Sequence, residues 1–214
     1  MKIVVISNDV LKAEWLAQGK EDVVEIEWLP EPIAVENADA YIDLLFHPDT
    51  ERINKLKKLS AGSGGQPAII IVNSVMATLN NLPEKFIRIN GWPTFLKRPV
   101  VESSCSHEDL KKQAEKIFSF FNKTAEWVPD VPGFITPRVI SMIINEAYFT
   151  LDEKVSSKEE IDIAMKLGTN YPYGPFEWSE KTGLKNIYEL LSLLSITHAR
   201  YEPAALLKKE ALVL

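Results

Sequence analysis

The hydrophobic pattern changes near Pro132 and divides the 214 residues into two parts of different secondary structure. Before this point, short runs rich in Val and Ile are separated by polar, turn-forming segments, as in the buried strands of a largely parallel sheet. After it, apolar residues recur at helical spacing. The pattern predicts an α/β domain over residues 1–131 and an all-helical domain over residues 132–214.

Strands are predicted at residues 2–7, 23–28, 40–46 and 68–73, with further candidates at 86–89 and 99–103. Helices are predicted at 49–59 and 108–121, because each segment places its apolar residues on one face. Residues 60–66 have the composition of a glycine and serine loop.

In the second part, residues 139–151 are apolar around most of the helix circumference, which predicts a helix buried on several sides. Ser157 and Glu160 form a capping-box pattern for the next helix, and Gly168 is predicted in the left-handed position after its end. Residues 184–196 predict a long helix. Its leucines, at positions 190, 191, 193 and 194, exceed what one buried face requires, which favours a homodimer through the helical domain.

Composition and charge exclude several classes of function. A net charge of -6 with interleaved acidic and basic residues offers no basic stripe for a nucleic-acid backbone. Cys105 is the only cysteine, so an intrachain disulfide and a cysteine-rich metal site are ruled out. No signal peptide or long apolar span is recognisable. We therefore expect a cytoplasmic protein without a nucleic-acid, membrane or metal partner.

Five segments of the helical part carry a family resemblance. They are Pro132-Gly-Phe-Ile-Thr-Pro-Arg138, Asn145-Glu-Ala147, Glu159-Glu-Ile-Asp-Ile-Ala-Met-Lys-Leu-Gly168, Asn170-Tyr-Pro-Tyr-Gly-Pro-Phe-Glu177 and Arg200-Tyr-Glu-Pro-Ala-Ala-Leu-Leu207. Residues 132–207 resemble, almost continuously, the C-terminal domain of 3-hydroxyacyl-CoA dehydrogenases. The earlier part is more weakly similar, for example at residues 37–43 and 100–102. The resemblance implies a shortened Rossmann-like domain followed by a helical dimerisation domain, with NAD as cofactor and a 3-hydroxyacyl thioester as substrate.

The turn after the first strand departs from the dinucleotide-binding pattern. A Rossmann fold places G-x-G-x-x-G there, so that the backbone can approach a pyrophosphate. Here Ile6 is followed by Ser7, Asn8 and Asp9, and the first glycine is Gly19. Asn8 or Asp9 is predicted to cap a helix, and Asp9 would place a negative charge beside phosphate oxygens. We therefore predict weak NAD binding or none. The second strand offers Glu27 or Glu31 as an acidic ribose ligand.

The family's catalytic set is only partly present. Its orienting glutamate matches Glu102, and the family spacing places the general-base histidine at Asn90, which has no basic nitrogen. The catalytic asparagine is replaced by Pro137, which lacks a donor. Asn73 and Ser74 match the substrate-side motif of the family. An alternative interpretation leaves Asn90 and Glu102 as hydrogen-bonding strand residues only.

The three histidines are candidates for a relocated catalytic base. His47 follows the third strand, where ligands of α/β sheets bind, so either a structural or a ligand-contacting role is possible. His107 follows Ser106, a predicted helix N-cap, and His198 is expected in the terminal helix; surface roles are predicted for both.

Two functions of different class follow. One is an NAD-dependent 3-hydroxyacyl-CoA dehydrogenase of acyl-CoA or fatty acid metabolism, with reduced or lost activity. The other is a non-catalytic acyl-CoA-binding, regulatory or structural subunit. The replaced residues favour the second function.

Overall fold

The computed structural model describes residues 1–62 and 67–213, so most of the loop predicted at 60–66 lies outside the described residues. The chain forms two compact units, Met1–Phe134 and Ile135–Leu214. No helix in the described part of the chain is long and apolar enough to cross a membrane.

The first unit contains, among its described residues, a seven-stranded sheet in the order β2-β1-β3-β4-β5-β6-β7. The strands are β1 Lys2–Ile6, β2 Glu25–Leu29, β3 Ala40–Asp43, β4 Ile69–Asn73, β5 Phe86–Ile89, β6 Val100–Ser104 and β7 Thr124–Trp127. All neighbours are parallel except β5 and β6. The six predicted strands are present. Sequence reasoning missed β7 because this edge strand is short and only half-buried.

Helices α1 Asp9–Trp15, α2 Thr50–Ser60 and α3 Glu108–Ser119 cover the sheet. Alternate residues of β1 enter two separate cores, as the strand period of two requires: Ile3 and Val5 pack with Trp15 and Phe118, whereas Val4 and Ile6 pack with Leu56. The prediction that Ser106 caps α3 is wrong. His107 occupies the N-cap position, and its side chain makes no capping hydrogen bond.

The helices described in the second unit are α4 Thr136–Asp152, α5 Lys158–Thr169, α6 Pro175–Thr182, α7 Leu184–Ser195 and α8 Ala205–Ala211. Helix α4 contacts α6, α7 and α8. Ile140, Ile144 and Tyr148 share one buried face, whereas Val139 and Phe149 are exposed, so the predicted burial on several sides is only partly observed. One side of α4 is therefore open.

Two local predictions for the helical part are corrected. The capping box of Ser157 and Glu160 is present, but Gly168 lies inside α5 and Asn170 adopts the left-handed conformation, with φ 57°. Asparagine tolerates this conformation better than other residues with a β-carbon. His198 is not in a terminal helix, because it precedes the 3₁₀ turn Ala199–Tyr201.

The leucines of α7 do not form the predicted partner surface. Leu190, Leu191 and Leu194 are buried within the chain, and only Leu193 is exposed. Helix α7 packs against α4, α6 and α8, so these neighbours cover more than one of its faces. Three of the four leucines on which the predicted surface depends are therefore not available to a second copy.

Candidate active site

The turn between β1 and α1 is closed by its own side chains. The Leu11 N–H donates to Asn8 Oδ1 at 2.9 Å, so Asn8 is the predicted N-cap. Asp9 follows as an exposed carboxylate in the first turn, and α1 has only seven residues. A pyrophosphate requires unoccupied N–H groups and a close backbone approach at this terminus. The residues of this turn therefore do not fit the pyrophosphate of NAD.

A pocket of 390 Å³ lies beside this turn, at the carboxyl ends of β1 and β2. The Lys12 ammonium sits 4.9 Å from the centroid of the Trp28 ring, and both side chains line the pocket. Neither acidic candidate of β2 lines it. Glu27 lies 3.4 Å from the Lys2 ammonium, and Glu31 lies 3.4 Å from the Arg52 guanidinium. Both carboxylates are thus paired with cations of the protein.

Asn90 and Glu102 lie together at the antiparallel junction of β5 and β6. Asn90 Nδ2 donates to Glu102 Oε2 at 3.2 Å, and the Asn90 N–H donates to the Glu102 carbonyl at 2.9 Å. Both side chains are buried. The spacing in the sequence therefore corresponds to a real contact between these positions. The pair consists of an amide and a carboxylate, and an amide cannot take up a proton near neutral pH.

Asn73 at the end of β4 binds backbone groups on two neighbouring strand ends. Its Nδ2 donates to the carbonyls of Leu44 and Gly91, each at 3.1 Å, and its Oδ1 accepts the Gly91 N–H at 2.9 Å. A β-carbon at Gly91 would collide with the Asn73 side chain, which explains the glycine. Asn73 thus fixes the backbone just beyond Asn90.

Ser74 is next to a buried arginine that sequence reasoning missed. The Ser74 hydroxyl donates to the Ala77 carbonyl at 2.9 Å. Arg88, fully buried on β5, donates to the Ser74 and Val75 carbonyls at 3.0 and 2.9 Å and to Asp130 at 2.6 Å. Burial lowers the pKa of Arg88, while Asp130 opposes this shift. The position of Arg88 between two isoleucines of an apolar strand could have indicated a buried arginine with a partner.

The Arg88 guanidinium also binds the segment that follows Asp130. It donates to the Val131 carbonyl at 3.2 Å and lies 4.2 Å from the centroid of the Phe134 ring. The carboxylate of Asp130 accepts the Leu79 N–H at 2.9 Å. The space beside Ser74 is therefore filled by a hydrogen-bonded arginine.

None of the histidines joins Asn90 and Glu102 in the described contacts. His47 is exposed, and its Nε2 lies 2.8 Å from the carboxylate of Asp49, which caps α2. His107 Nε2 lies 3.3 Å from Glu84. His198 contacts the Tyr201 ring. The contacts of His47 with Asp49 and the Leu45 carbonyl are those of a loop residue, and its ligand-contacting role remains a prediction.

A buried ion pair at the end of β3 was also missed. Asp43 accepts two hydrogen bonds from the Arg52 guanidinium, at 2.7 and 2.8 Å. These charges neutralise each other inside the unit, as buried charges must.

In the helical unit, Pro137 occupies the second position of α4 and is buried. A proline suits the first turn of a helix because that N–H has no partner there. It has no side-chain donor for a substrate oxygen. The position of Pro137 in the first turn of α4 therefore explains why a proline is accepted where the family has its catalytic asparagine.

Comparison with known proteins places these features in a family. The family model for the 3-hydroxyacyl-CoA dehydrogenase C-terminal domain matches residues 133–212. The 3-hydroxybutyryl-CoA dehydrogenase of Clostridioides difficile is 31% identical over 202 residues, which are 86% of this chain and 69% of the relative. The chain belongs to the 3-hydroxyacyl-CoA dehydrogenase family. The family prediction from the sequence is thereby confirmed.

Other family members match shorter parts of the sequence, and solved structures match the fold. The 3-hydroxyadipyl-CoA dehydrogenase of Escherichia coli K12 is 43% identical over 93 residues, which are 42% of this chain and 20% of the relative. The matched regions cover 20% to 48% of the first three curated relatives. The crystal structure of (S)-3-hydroxybutyryl-CoA dehydrogenase from Ralstonia eutropha superposes with a TM-score of 0.75 at 18% identity, covering 99% of this chain and 93% of that structure. The Rossmann-like and helical architecture is thus confirmed.

Proposed function

We propose that this family member belongs to acyl-CoA metabolism and has lost, or nearly lost, NAD-dependent hydride transfer. The Asn90–Glu102 pair carries the proposal, because it occupies the place of a histidine–glutamate dyad and has no basic nitrogen. Loss of a general base alone typically reduces the rate by about 10²–10⁴. The capped α1 terminus adds a second, independent obstacle, since it opposes NAD binding.

Under this proposal, Glu102 is the remaining member of the catalytic set, and Ser74 and Asn73 lie on the substrate side. The Ser74 hydroxyl donates to the Ala77 carbonyl and Arg88 fills the space beside it, so Ser74 supports the local backbone. Asn73 acts by holding the backbone of Gly91. An acyl-CoA-like ligand that binds without turnover would make the chain a regulatory or structural subunit, which is the alternative function.

Calorimetric titration with NAD, followed by an assay of NADH oxidation with acetoacetyl-CoA, tests the proposal. We expect no saturation at micromolar NAD and no turnover above background. Asn90→His should restore the base position beside Glu102 yet remain inactive, because the cofactor obstacle persists. Titration with acetoacetyl-CoA alone separates a binding subunit from a purely structural one.

Micromolar NAD affinity with turnover at ordinary enzyme rates would overturn the proposal. If His47→Ala then abolished that turnover, the base would be His47. Glu102→Gln is the matched variant, because it changes the carboxylate that the family uses.

We also propose that the chain forms a homodimer through the helical unit, using α5. Val155, Ile163 and Leu167 are 68%, 53% and 83% exposed on α5 and the turn before it. A mainly apolar groove of 400 Å³ lies beside Val155, and its lining also includes Ile143, Ala147 and Met165. A protruding apolar face next to a groove can pair with its own copy across a two-fold axis.

A further inference from the structure

A second groove, of 490 Å³, lies in the helical unit between α4 and the 3₁₀ turn Ala199–Tyr201. Its apolar lining comes from Val139, Met142 and Ile143 on the open side of α4. Its polar lining comes from Arg138, Glu146, Arg200 and Tyr201. The proposed loss of hydride transfer uses none of these residues.

Two positive charges converge at one end of this groove. The Tyr201 hydroxyl accepts from Arg200 at 2.6 Å and from Arg138 at 3.3 Å. The two guanidinium carbons lie 4.6 and 5.7 Å from the centroid of the Tyr201 ring. Tyr201 is only 4% exposed and is therefore a fixed anchor for both.

The charge of Arg200 has no counter-ion in the described part of the chain. Its hydrogen bond and its ring contact are both with Tyr201, a neutral side chain. The guanidinium groups of Arg200 and Arg138 carry like charges beside one neutral oxygen, and an anion placed between them would be attracted by both. Guanidinium groups bind planar carboxylates through paired hydrogen bonds.

The opposite end of the groove carries a negative charge. Glu146 follows Arg138 by eight residues on α4, which corresponds to about 12 Å along the helix axis. The apolar residues lie between these two ends. The groove is therefore polarised, with a cationic head, an apolar middle and an anionic end.

We propose that this groove binds a medium-chain monocarboxylate. The carboxylate would lie at Arg200 and Arg138, and the alkyl chain would cover Val139, Met142 and Ile143. Glu146 would disfavour a second carboxylate at the far end of the same chain, so a dicarboxylate of equal length is discriminated against. The site thus recognises a free fatty acid by its head, its apolar body and its uncharged tail.

Calorimetric titration of the full-length chain with octanoate, suberate and acetate tests this assignment. We expect octanoate to bind with a dissociation constant below about 1 mM. Suberate, with the same carbon count and a second carboxylate, should bind roughly 3- to 5-fold more weakly. Glu146→Gln should remove that difference. Acetate should give no saturation, because it lacks the chain that contacts α4.

Variants of the cationic end complete the test. Arg200 is exposed, so Arg200→Gln should fold normally and weaken octanoate binding by roughly 10-fold or more. Lys185→Gln, an exposed change of equal charge on α7, is the matched control and should bind like wild type. Failure of octanoate to bind, acetate binding as tightly as octanoate, or equal losses in the two variants would each overturn the assignment.

Discussion

Lys123 is a cation placed almost entirely inside the first unit. Its ammonium donates to the carbonyls of Leu96 and Arg98, at 2.5 and 2.8 Å, and lies 5.3 Å from the centroid of the Trp15 ring. The side chain is only 2% exposed. Burial lowers the pKa of Lys123 to about 8, although Glu14 opposes the shift. Lys123 thus stabilises the segment before β6 by hydrogen bonds to its carbonyls, although burying the ammonium charge is unfavourable.

The stability of the protein should therefore depend on pH through Lys123. The folded pKa is about 8 and the ordinary value is 10.5, so the unfolded chain binds more protons between these values. The contribution of Lys123 to the free energy of unfolding thus rises as pH rises through this window, by on the order of 3 kcal/mol in total. Urea unfolding of wild type and Lys123→Met at pH 7.5 and pH 10 measures the change.

Comparing the two proteins at each pH cancels the titration of the other lysines. We expect the difference in unfolding free energy to shift in favour of wild type at pH 10. A difference that stays constant over the window would show that Lys123 titrates normally in the folded protein.

Single residues differ in how far the sequence reveals them. The family resemblance pointed to Asn90 and Glu102 as partners, and the structure places them in contact. The carboxylate partner of Arg88 is 42 residues away in the sequence. Lys123 binds backbone carbonyls, which every residue type carries, so no sequence pattern reveals the contact. Such contacts depend on the fold and cannot be read from local spacing.

At the scale of elements, α6 begins at a junction that local patterns do not show. The carboxylate of Asp162 on α5 accepts the N–H groups of Phe176 and Glu177, at 2.8 and 3.0 Å. A β-carbon at Gly174 would collide with the Asp162 side chain. The proline and glycine turn before α6 therefore has a structural role. The helix itself was missed because its capping carboxylate comes from another helix.

Gly174→Ala should consequently destabilise the protein. The new methyl group displaces Asp162 and weakens both capping hydrogen bonds, at a cost of about 1–3 kcal/mol. Gly168→Ala is the matched control, since Gly168 lies inside α5 with no atom within 4 Å of an added β-carbon. It should stabilise the chain by about 0.5–1 kcal/mol. Urea unfolding of both variants decides, and equal effects would contradict the close approach at Gly174.

At the scale of the whole molecule, patterning predicted the architecture better than the surfaces. The change in the spacing of apolar residues near Pro132 predicted an α/β unit and a helical unit. This spacing differs between strands and helices because each buries its side chains at its own repeat. The leucines of α7 misled because a count of apolar residues does not show how many neighbours cover a helix. Val155, Ile163 and Leu167, on α5 and the turn before it, are among the exposed apolar residues of the helical unit.

The dimer proposal therefore predicts a specific response of the molecular mass. Light scattering after size-exclusion chromatography should give twice 24.2 kDa for wild type. Ile163→Glu with Leu167→Glu should give the monomer, because both side chains are exposed on α5 and would bury a charge in the contact. Ile196→Glu, at a residue 79% exposed outside α5, is the matched control and should keep the doubled mass. Leu191→Glu should instead unfold the helical unit, since Leu191 is fully buried. A mass of 24.2 kDa for wild type at every concentration would exclude the dimer, and a doubled mass in the α5 variant would place the interface on another face.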